Sequence, residues 1–268
     1  MSTSTDPVVD PIGPLDVVSA TRYVTPLREG GSLPGLVEAD DLGIYVLKFR
    51  GAGQGVKVLV AEIVVTQIAR LLDIPAPRLA LVDLDRQIAK YEADEEVQDL
   101  LNASIGLNLG VDYLPGSFGY DGSKPPDADA AARILWLDAF TANVDRTWNN
   151  PNLLLWHRRT WAIDHGAALW FHHGWPSRAP DAERFARQPF DASTHVLREV
   201  AADPTAAHDG LAARLTPAVL GDVLALVPDA WLEPTPFLAD TAAVRAAYLE
   251  LLLARIAQPA AWLPGAAR

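Results

Sequence analysis

A polar segment in the middle of the chain carries residue types that can move a proton and bind a metal. Asp145 is followed five residues later by Asn150, and Asn152 comes two residues after that. An aspartate can accept the proton of an attacking hydroxyl, and an asparagine oxygen can help to hold Mg²⁺. The spacing is that of a kinase catalytic loop. Loops are rich in both residue types, so a turn with side-chain caps is the alternative interpretation.

A second acidic residue, Asp164, ends a predicted strand and is followed by His165 and Gly166. The metal-binding aspartate of a kinase occupies such a position. The order of loop aspartate, loop asparagine, hairpin and strand-end aspartate is more specific than either segment alone. A triphosphate requires a divalent metal held by carboxylate and amide oxygens. We therefore predict that Asp145 and Asn150 are catalytic, and that the metal ligands are Asn150, Asn152 and Asp164.

Charged and glycine-rich positions in the first half are candidates for nucleotide binding. Lys48 lies in an apolar strand, and Glu62 lies fourteen residues later in an almost entirely apolar predicted helix. A charge on such a helix is costly unless it is paired, so we expect an ion pair between the two. The alternatives are a solvent-facing Glu62 and a lysine that protects an edge strand. Gly30, Gly31 and Ser32 are placed like a loop that covers a nucleotide.

The predicted elements that must position these residues divide the chain in two. We expect a flexible lead-in over 1–20, a strand-rich N-lobe over 21–112 and a helical C-lobe over 113–268, which makes an α+β protein. The glycine-rich residues 51–55 are expected to set the approach into the Glu62 helix. The predicted strands cover 43–50, 77–82, 105–114, 153–156 and 160–163, and the predicted helices cover 57–72, 85–101, 131–142, 211–226 and 241–256.

Composition narrows the function classes. The 268 residues suffice for one large domain or two lobes that share a cleft. There is no cysteine, which excludes disulfides and thiolate chemistry. A net charge of −12 argues against direct binding of nucleic acid. The sequence has no long uncharged apolar run and no secretory leader, so we expect a cytoplasmic protein without a membrane partner.

The sequence resembles the HipA-like kinase family, in particular a compact bacterial group. This resemblance implies a two-lobed, protein-kinase-like fold, ATP and Mg²⁺ as cofactors, and transfer of phosphate to a protein hydroxyl or to the chain itself. It covers residues 23–175, with weaker similarity in the C-terminal helices. The segments that carry it are YVLKFRGAGQG, AEIVVTQIARLLDIPAP, GLNLGVDYLPG, ANVDRTWNNPNLLLW and WAIDHGAAL.

The resemblance also implies roles for individual residues. Lys48 would contact the ATP phosphates, and Glu62 would hold the lysine. Asp145 would be the catalytic base, while Asn150 and Asp164 would bind Mg²⁺.

The strand that contains Asp112 would lead into the hinge beside adenine, so Asp112 is a further cofactor-binding candidate. The sequence departs from the family pattern at three places. The loop offers two asparagines: Asn150 fits the family position by spacing, and Asn152 fits by its position against the strand over 153–156. Thr147 stands where these kinases have a histidine, which puts any role of that histidine in doubt. His165 stands where protein kinases have a phenylalanine, so a phenylalanine packing switch is not implied.

Other functions remain open on the sequence alone. The chain could be a nucleotide-binding regulatory module without transfer activity, or a kinase of a small molecule or lipid headgroup. His165, His172 and His173, with the nearby aspartates, could form a transition-metal site. Arg146 either binds phosphate or pairs with an acidic helix residue. No motif identifies the acceptor, the oligomeric state or a regulatory partner.

Overall fold

The structure, a computed structural model, describes residues 13–27, 34–90 and 92–265. The first half forms a closed five-stranded barrel in the order β1-β2-β3-β5-β4. Neighbouring strands are antiparallel except β1 and β4, which are parallel. The strands are β1 (Asp16–Pro26), β2 (Gly35–Ala39), β3 (Ile44–Lys48), β4 (Leu79–Leu84) and β5 (Gly106–Asp112).

Three helices accompany the barrel: α1 (Val56–Leu71), α2 (Arg86–Ala89) and α3 (Glu95–Ala103). The prediction of one helix over 85–101 is wrong. Asp94 caps a new helix because its carboxylate accepts the backbone N–H groups of Glu96 and Val97. Strand β1 begins inside the expected lead-in, since residues 16–19 pair with β4.

The second half contains a small antiparallel sheet in the order β6-β7-β8, followed by helices. The expected helix over 211–226 is replaced by two helices. Thr216 caps the second of them and Pro217 occupies its first turn, where proline is tolerated. The elements are β6 (Phe118–Gly119), α4 (Ala128–Thr141), β7 (Leu153–Trp156), β8 (Arg159–Ala162), α5 (Ala182–Ala186), α6 (Pro204–Ala212), α7 (Pro217–Ala225), α8 (Thr241–Ile256) and α9 (Pro259–Trp262).

Helix α1 belongs to the hydrophobic core of the second half. Leu59 and Ile63 pack in one cluster with Leu135 and Phe140 of α4, whereas Tyr45 and other barrel residues form a separate cluster. Eleven of the sixteen residues of α1 are buried. The shared core therefore fixes Glu62, on α1, relative to the loop that follows α4. Within the described ranges, no helix is long and apolar enough to span a membrane.

Candidate active site

Lys48 and Glu62 form the expected ion pair between strand and helix. Tyr45 and Leu47 of β3 point into the barrel, so Lys48 projects from the opposite face, towards α1. The Lys48 Nζ contacts Glu62 Oε1 and lies 2.7 Å from Asp164 Oδ1. The Lys48 side chain is only 13% exposed and that of Glu62 only 2%. One ammonium group therefore joins β3, α1 and Asp164, which lies two residues after the end of β8.

The charges of this triad depend on one another. Lys48, despite the opposing effect of desolvation, holds the pKa of the Asp164 carboxyl well below its usual range. Burial alone would lower the pKa of Lys48, but the carboxylates of Glu62 and Asp164 outweigh it and raise that pKa. Burial also raises the pKa of Glu62, although Lys48 opposes the shift. Lys48 is thus held as a cation in a poorly hydrated position.

The Asp145 carboxylate is the centre of the loop between α4 and β7. Its Oδ2 accepts hydrogen bonds from Asn150 Nδ2 at 2.8 Å and from Asn152 Nδ2 at 3.4 Å. Reciprocal backbone bonds of 3.1 Å between Thr147 and Asn150 close the turn. Because each amide nitrogen faces Asp145, each carboxamide oxygen is left without a hydrogen bond from the described protein. These oxygens are available to a hard cation.

Arg146 lies beneath the loop and does not face the cavity of the site. Its guanidinium is buried and pairs with Asp138 of α4, with 2.6 Å between Nε and Oδ2. It also donates to the backbone carbonyls of Asn152 and, at 3.3 Å, Ile163. Of the two roles considered for Arg146, phosphate binding and pairing with an acidic helix residue, the structure shows the pairing. The arginine ties the asparagine loop to the strand end that precedes Asp164.

Asp138 is the acceptor at the centre of this buried network. Besides Arg146, it accepts from Asn143 Nδ2 at 2.9 Å, and His195 Nε2 lies 2.9 Å from its Oδ2. Burial alone would raise its pKa, but Arg146 and His195 hold that pKa well below its usual range. Asp138 was not among the residues predicted from the sequence. The available signal was its acidic side chain on a helix that is otherwise almost entirely apolar between Ala131 and Ala142.

The segment after Asp164 is shaped by close packing. Asp164 has a left-handed backbone, with φ at 53°. The buried His165 places Nδ1 3.2 Å from a terminal nitrogen of Arg146, which can only donate, so the imidazole is neutral. Burial, with Arg146, lowers the pKa of His165 to about 3. A side chain on Gly166 would place its Cβ 2.5 Å from Val58 Cγ1, so this glycine permits the close approach of α1.

Four of the predicted residues, Lys48, Asp145, Asn150 and Asp164, line one cavity. Asn152 does not line it. The glycine-rich segment after β3 does, through Ala52, Gln54 and Gly55, although we expected this segment only to lead into α1. No described side chain caps the first turn of α1, where Gly55 has φ at 70°.

Glu62 and Asp112, the other predicted positions that the structure describes, do not line this cavity. Gly30, Gly31 and Ser32 lie outside the described residues. Asp112 lies opposite Tyr45 in the ladder between β3 and β5, whereas Lys48 lies opposite Leu109. Three residues of strand, about 10 Å, therefore separate Asp112 from the level of Lys48.

The transition-metal alternative is wrong for the part of the chain that the structure describes. Over those residues, no three His, Asp or Glu side chains are grouped to hold an ion. His172 instead places Nδ1 2.8 Å from Tyr248 Oη in the core. The three histidines therefore do not converge with the aspartates.

Comparison with known proteins shows the family and the fold of this chain. The family model described as HipA-like kinase matches residues 21–264. The chain belongs to the HipA-like kinase family. The match extends the resemblance through the C-terminal helices. Among solved structures, the Helicobacter pylori proinflammatory kinase CtkA is similar in fold, with a TM-score of 0.52 and 10% identity over 92% of this chain and 95% of that chain. No curated protein matches the sequence significantly.

Membership of the HipA-like kinase family implies use of ATP together with a divalent metal ion. The residues present fit such a metal. The half-exposed Asp164 carboxylate and the free carboxamide oxygens of Asn150 and Asn152 are hard oxygen donors of the kind that Mg²⁺ prefers. Of these three residues, Asp164 and Asn150 line the same cavity as Lys48, and Asn152 does not.

Proposed function

We propose that this HipA-like kinase transfers the γ-phosphoryl group of ATP to a Ser or Thr hydroxyl of a protein, or of the chain itself. One observation carries the proposal. Lys48, Asp145 and Asp164 come from three separate segments and line a single cavity. A structural ion pair would explain Lys48 with Glu62, but it would not require Asp145 and two asparagines beside it.

The barrel and the helical half act as two lobes, and the nucleotide lies between them. Its phosphates lie beside Lys48 and the first turn of α1, where free backbone N–H groups and the helix dipole favour an anion. Asp112 and the strand that carries it lie towards adenine. Gly30, Gly31 and Ser32 belong to a loop that covers the nucleotide.

Asp164 and Asn150 would hold Mg²⁺, which would supply neutralisation of the phosphate charge. Glu62 would keep Lys48 in place with the metal bound at Asp164, because the side chains of Lys48 and Glu62 are only 13% and 2% exposed. Asp145 accepts the proton of the acceptor hydroxyl as its oxygen forms a bond to the γ-phosphorus. The bond from that phosphorus to the β–γ bridging oxygen breaks, and ADP leaves.

The test combines transfer and binding. With ATP and Mg²⁺, we expect ADP release, together with a gain of phosphate that intact mass detects on the chain or on an added protein acceptor. Asp145→Ala should lower the rate by about 10²–10⁴-fold. The same variant should keep its thermal stabilisation by ATP and Mg²⁺, which serves as the folding and binding control.

Two results would reject transfer by this site. An Asp145→Ala variant as active as the wild type would remove Asp145 from the mechanism. Stabilisation by ATP without any phosphate transfer would favour a nucleotide-binding regulatory module. Transfer to small alcohols or lipid headgroups, but not to proteins, would correct the acceptor class.

A further inference from the structure

A second and larger cavity, of about 620 Å³, lies away from the candidate active site. It is bounded by the end of α1, the start of α4, β6 and the turn between β7 and β8. It shares no lining residue with the cavity that holds Lys48 and Asp145. Its size is within the usual range of ligand pockets.

The second cavity is cationic, although the whole protein has a net charge of −12. Lys124, Arg133, Arg158 and Arg159 line it, as does His157. In the part of the chain that the structure describes, none of these four cations forms an ion pair with a carboxylate within 4.0 Å. The Nε of Arg133 is buried without a hydrogen-bond partner in the described structure. A group of cations this close, left unpaired, favours an anionic ligand.

The two carboxylates in the lining do not neutralise these cations. Asp127 caps α4, with 2.7 Å between its Oδ1 and Ala130 N. Asp73 is bound by Arg214 at 2.6 Å. The hydrogen bond from Arg214 lowers the pKa of Asp73, and the charges of Arg133 and Arg159 lower it further. Three guanidinium groups therefore act on the one carboxylate of Asp73, which leaves a surplus of positive charge.

The turn between β7 and β8 has an uncommon backbone conformation. His157 and Arg158 both have positive φ, at 45° and 63°. A two-residue hairpin turn of this kind strongly favours Asn-Gly or similar pairs, so the His-Arg pair stores backbone strain. This strained turn lies at the rim of the second cavity, where Arg158 and Arg159 are exposed.

We propose that the second cavity binds the phosphate monoester of a phosphorylated protein segment. Paired arginines suit a phosphate because the guanidinium donates in a bidentate fork. A neighbouring apolar surface suits a peptide better than a free ion. Phe118 in the lining is 72% exposed, and its strand, β6, lies at the edge of its sheet, where β7 is its one neighbour among the described residues. An edge strand can receive an extended peptide.

Binding of labelled peptides tests this site without relying on catalysis. The probe is a degenerate peptide library with one fixed phosphoserine, compared with the same library carrying serine. Fluorescence anisotropy is measured on the full chain with a non-hydrolysable ATP analogue and Mg²⁺ present, which occupies the nucleotide cleft without phosphorylating the serine library. We expect the phosphorylated library to bind more tightly, and the double variant Arg158→Gln/Arg159→Gln to weaken it about ten- to a hundredfold.

The matched control is Arg187→Gln, since Arg187 is an exposed arginine on the surface near α5, paired with Glu183 and away from the cavity. It should leave peptide binding unchanged. Both variants should keep their melting temperature and their phosphate transfer, so a failed binding test is distinguishable from a failed kinase assignment. Equal binding of the two libraries, or an unaffected double variant, would overturn the site. Inorganic phosphate or free phosphoserine binding as tightly as the library would overturn the peptide ligand.

Discussion

Asp138 and Arg146 form a buried ion pair beneath the loop that contains Asp145, with 2.6 Å between the Asp138 Oδ2 and the Arg146 Nε. The same guanidinium donates to the carbonyls of Asn152 and Ile163, which belong to the asparagine loop and to the strand end before Asp164. Two segments that carry the proposed chemistry are therefore held by a pair that does not touch the cavity. The relative position of Asp145 and Asp164 depends on α4 as much as on their own loops.

Replacing Asp138 should destabilise the whole protein. Asp138→Ala would leave the Arg146 charge buried without a partner, so we expect the free energy of unfolding to fall by about 3–5 kcal/mol. Urea unfolding measures this. Glu183→Gln, which breaks the exposed pair with Arg187, is the control and should change little. An Asp138→Ala variant as stable as that control would show that the pair does not hold the fold.

The Lys48–Glu62 pair should matter more for transfer than for stability. Lys48→Met alone leaves Glu62 buried beside no cation, which should destabilise the protein. The double variant Lys48→Met/Glu62→Leu replaces the pair with apolar groups and should recover most of that loss. Both variants should transfer phosphate about 10²–10³-fold more slowly, because the cation is missing. Urea unfolding and ADP release measure the two effects, and a double variant with restored transfer would contradict the role of Lys48.

Much of the site could be predicted because its signals are local or rest on burial. A charge on an apolar helix needs a partner, so the pairing of Glu62 with Lys48, fourteen residues away, could be predicted. The convergence of Asp145, Asn150 and Asp164 could be predicted because only a short hairpin separates Asn150 from Asp164 in the sequence. Helix α8 was equally predictable, since its apolar residues recur without an interrupting proline.

The missed features depend on contacts between distant segments. Strand β1 has an exposed outer face and pairs with β4, about sixty residues away, so its residues show little apolar alternation. His195 reaches Asp138 across 57 residues, and nothing near His195 in the sequence indicates that partner. The position of residues 52–55 at the cavity follows from the packing of α1 on the second half, which the local sequence does not specify.

The two loop asparagines should differ in their effect on the metal. Asn150 lines the cavity and lies closer to Asp145 than Asn152 does. Asn150→Ala should therefore raise the Mg²⁺ concentration required for half-maximal transfer by about tenfold or more. Asn152→Gly should raise it less, and glycine is the suitable change because Asn152 has φ at 48°. The exposed Asn149→Ala is the control, and a larger effect at Asn152 would reverse the assignment.

His165 should make stability depend on acidity below neutral pH. Its pKa is lowered from 6.5 to about 3 in the folded protein, chiefly by burial. Between these two values the unfolded chain binds a proton that the folded protein does not, so stability falls as the pH falls. One such proton changes the free energy of unfolding by about 1.4 kcal/mol per pH unit. The variant His165→Phe cannot take up this proton, so it should lose stability less steeply than the wild type on acidification.

The comparison of slopes isolates His165 from two other effects. In the variant, phenylalanine removes the acceptor for Arg146. This loss shifts the free energy of unfolding by an amount that does not follow the titration of His165. The buried His172, whose pKa is also well below its usual range, remains in both proteins and cancels. Urea unfolding of both proteins, at pH values between about 4 and about 7, gives the two slopes. Parallel curves would mean that His165 exchanges its proton as readily in the folded protein as in the unfolded chain, against its buried contact with Arg146.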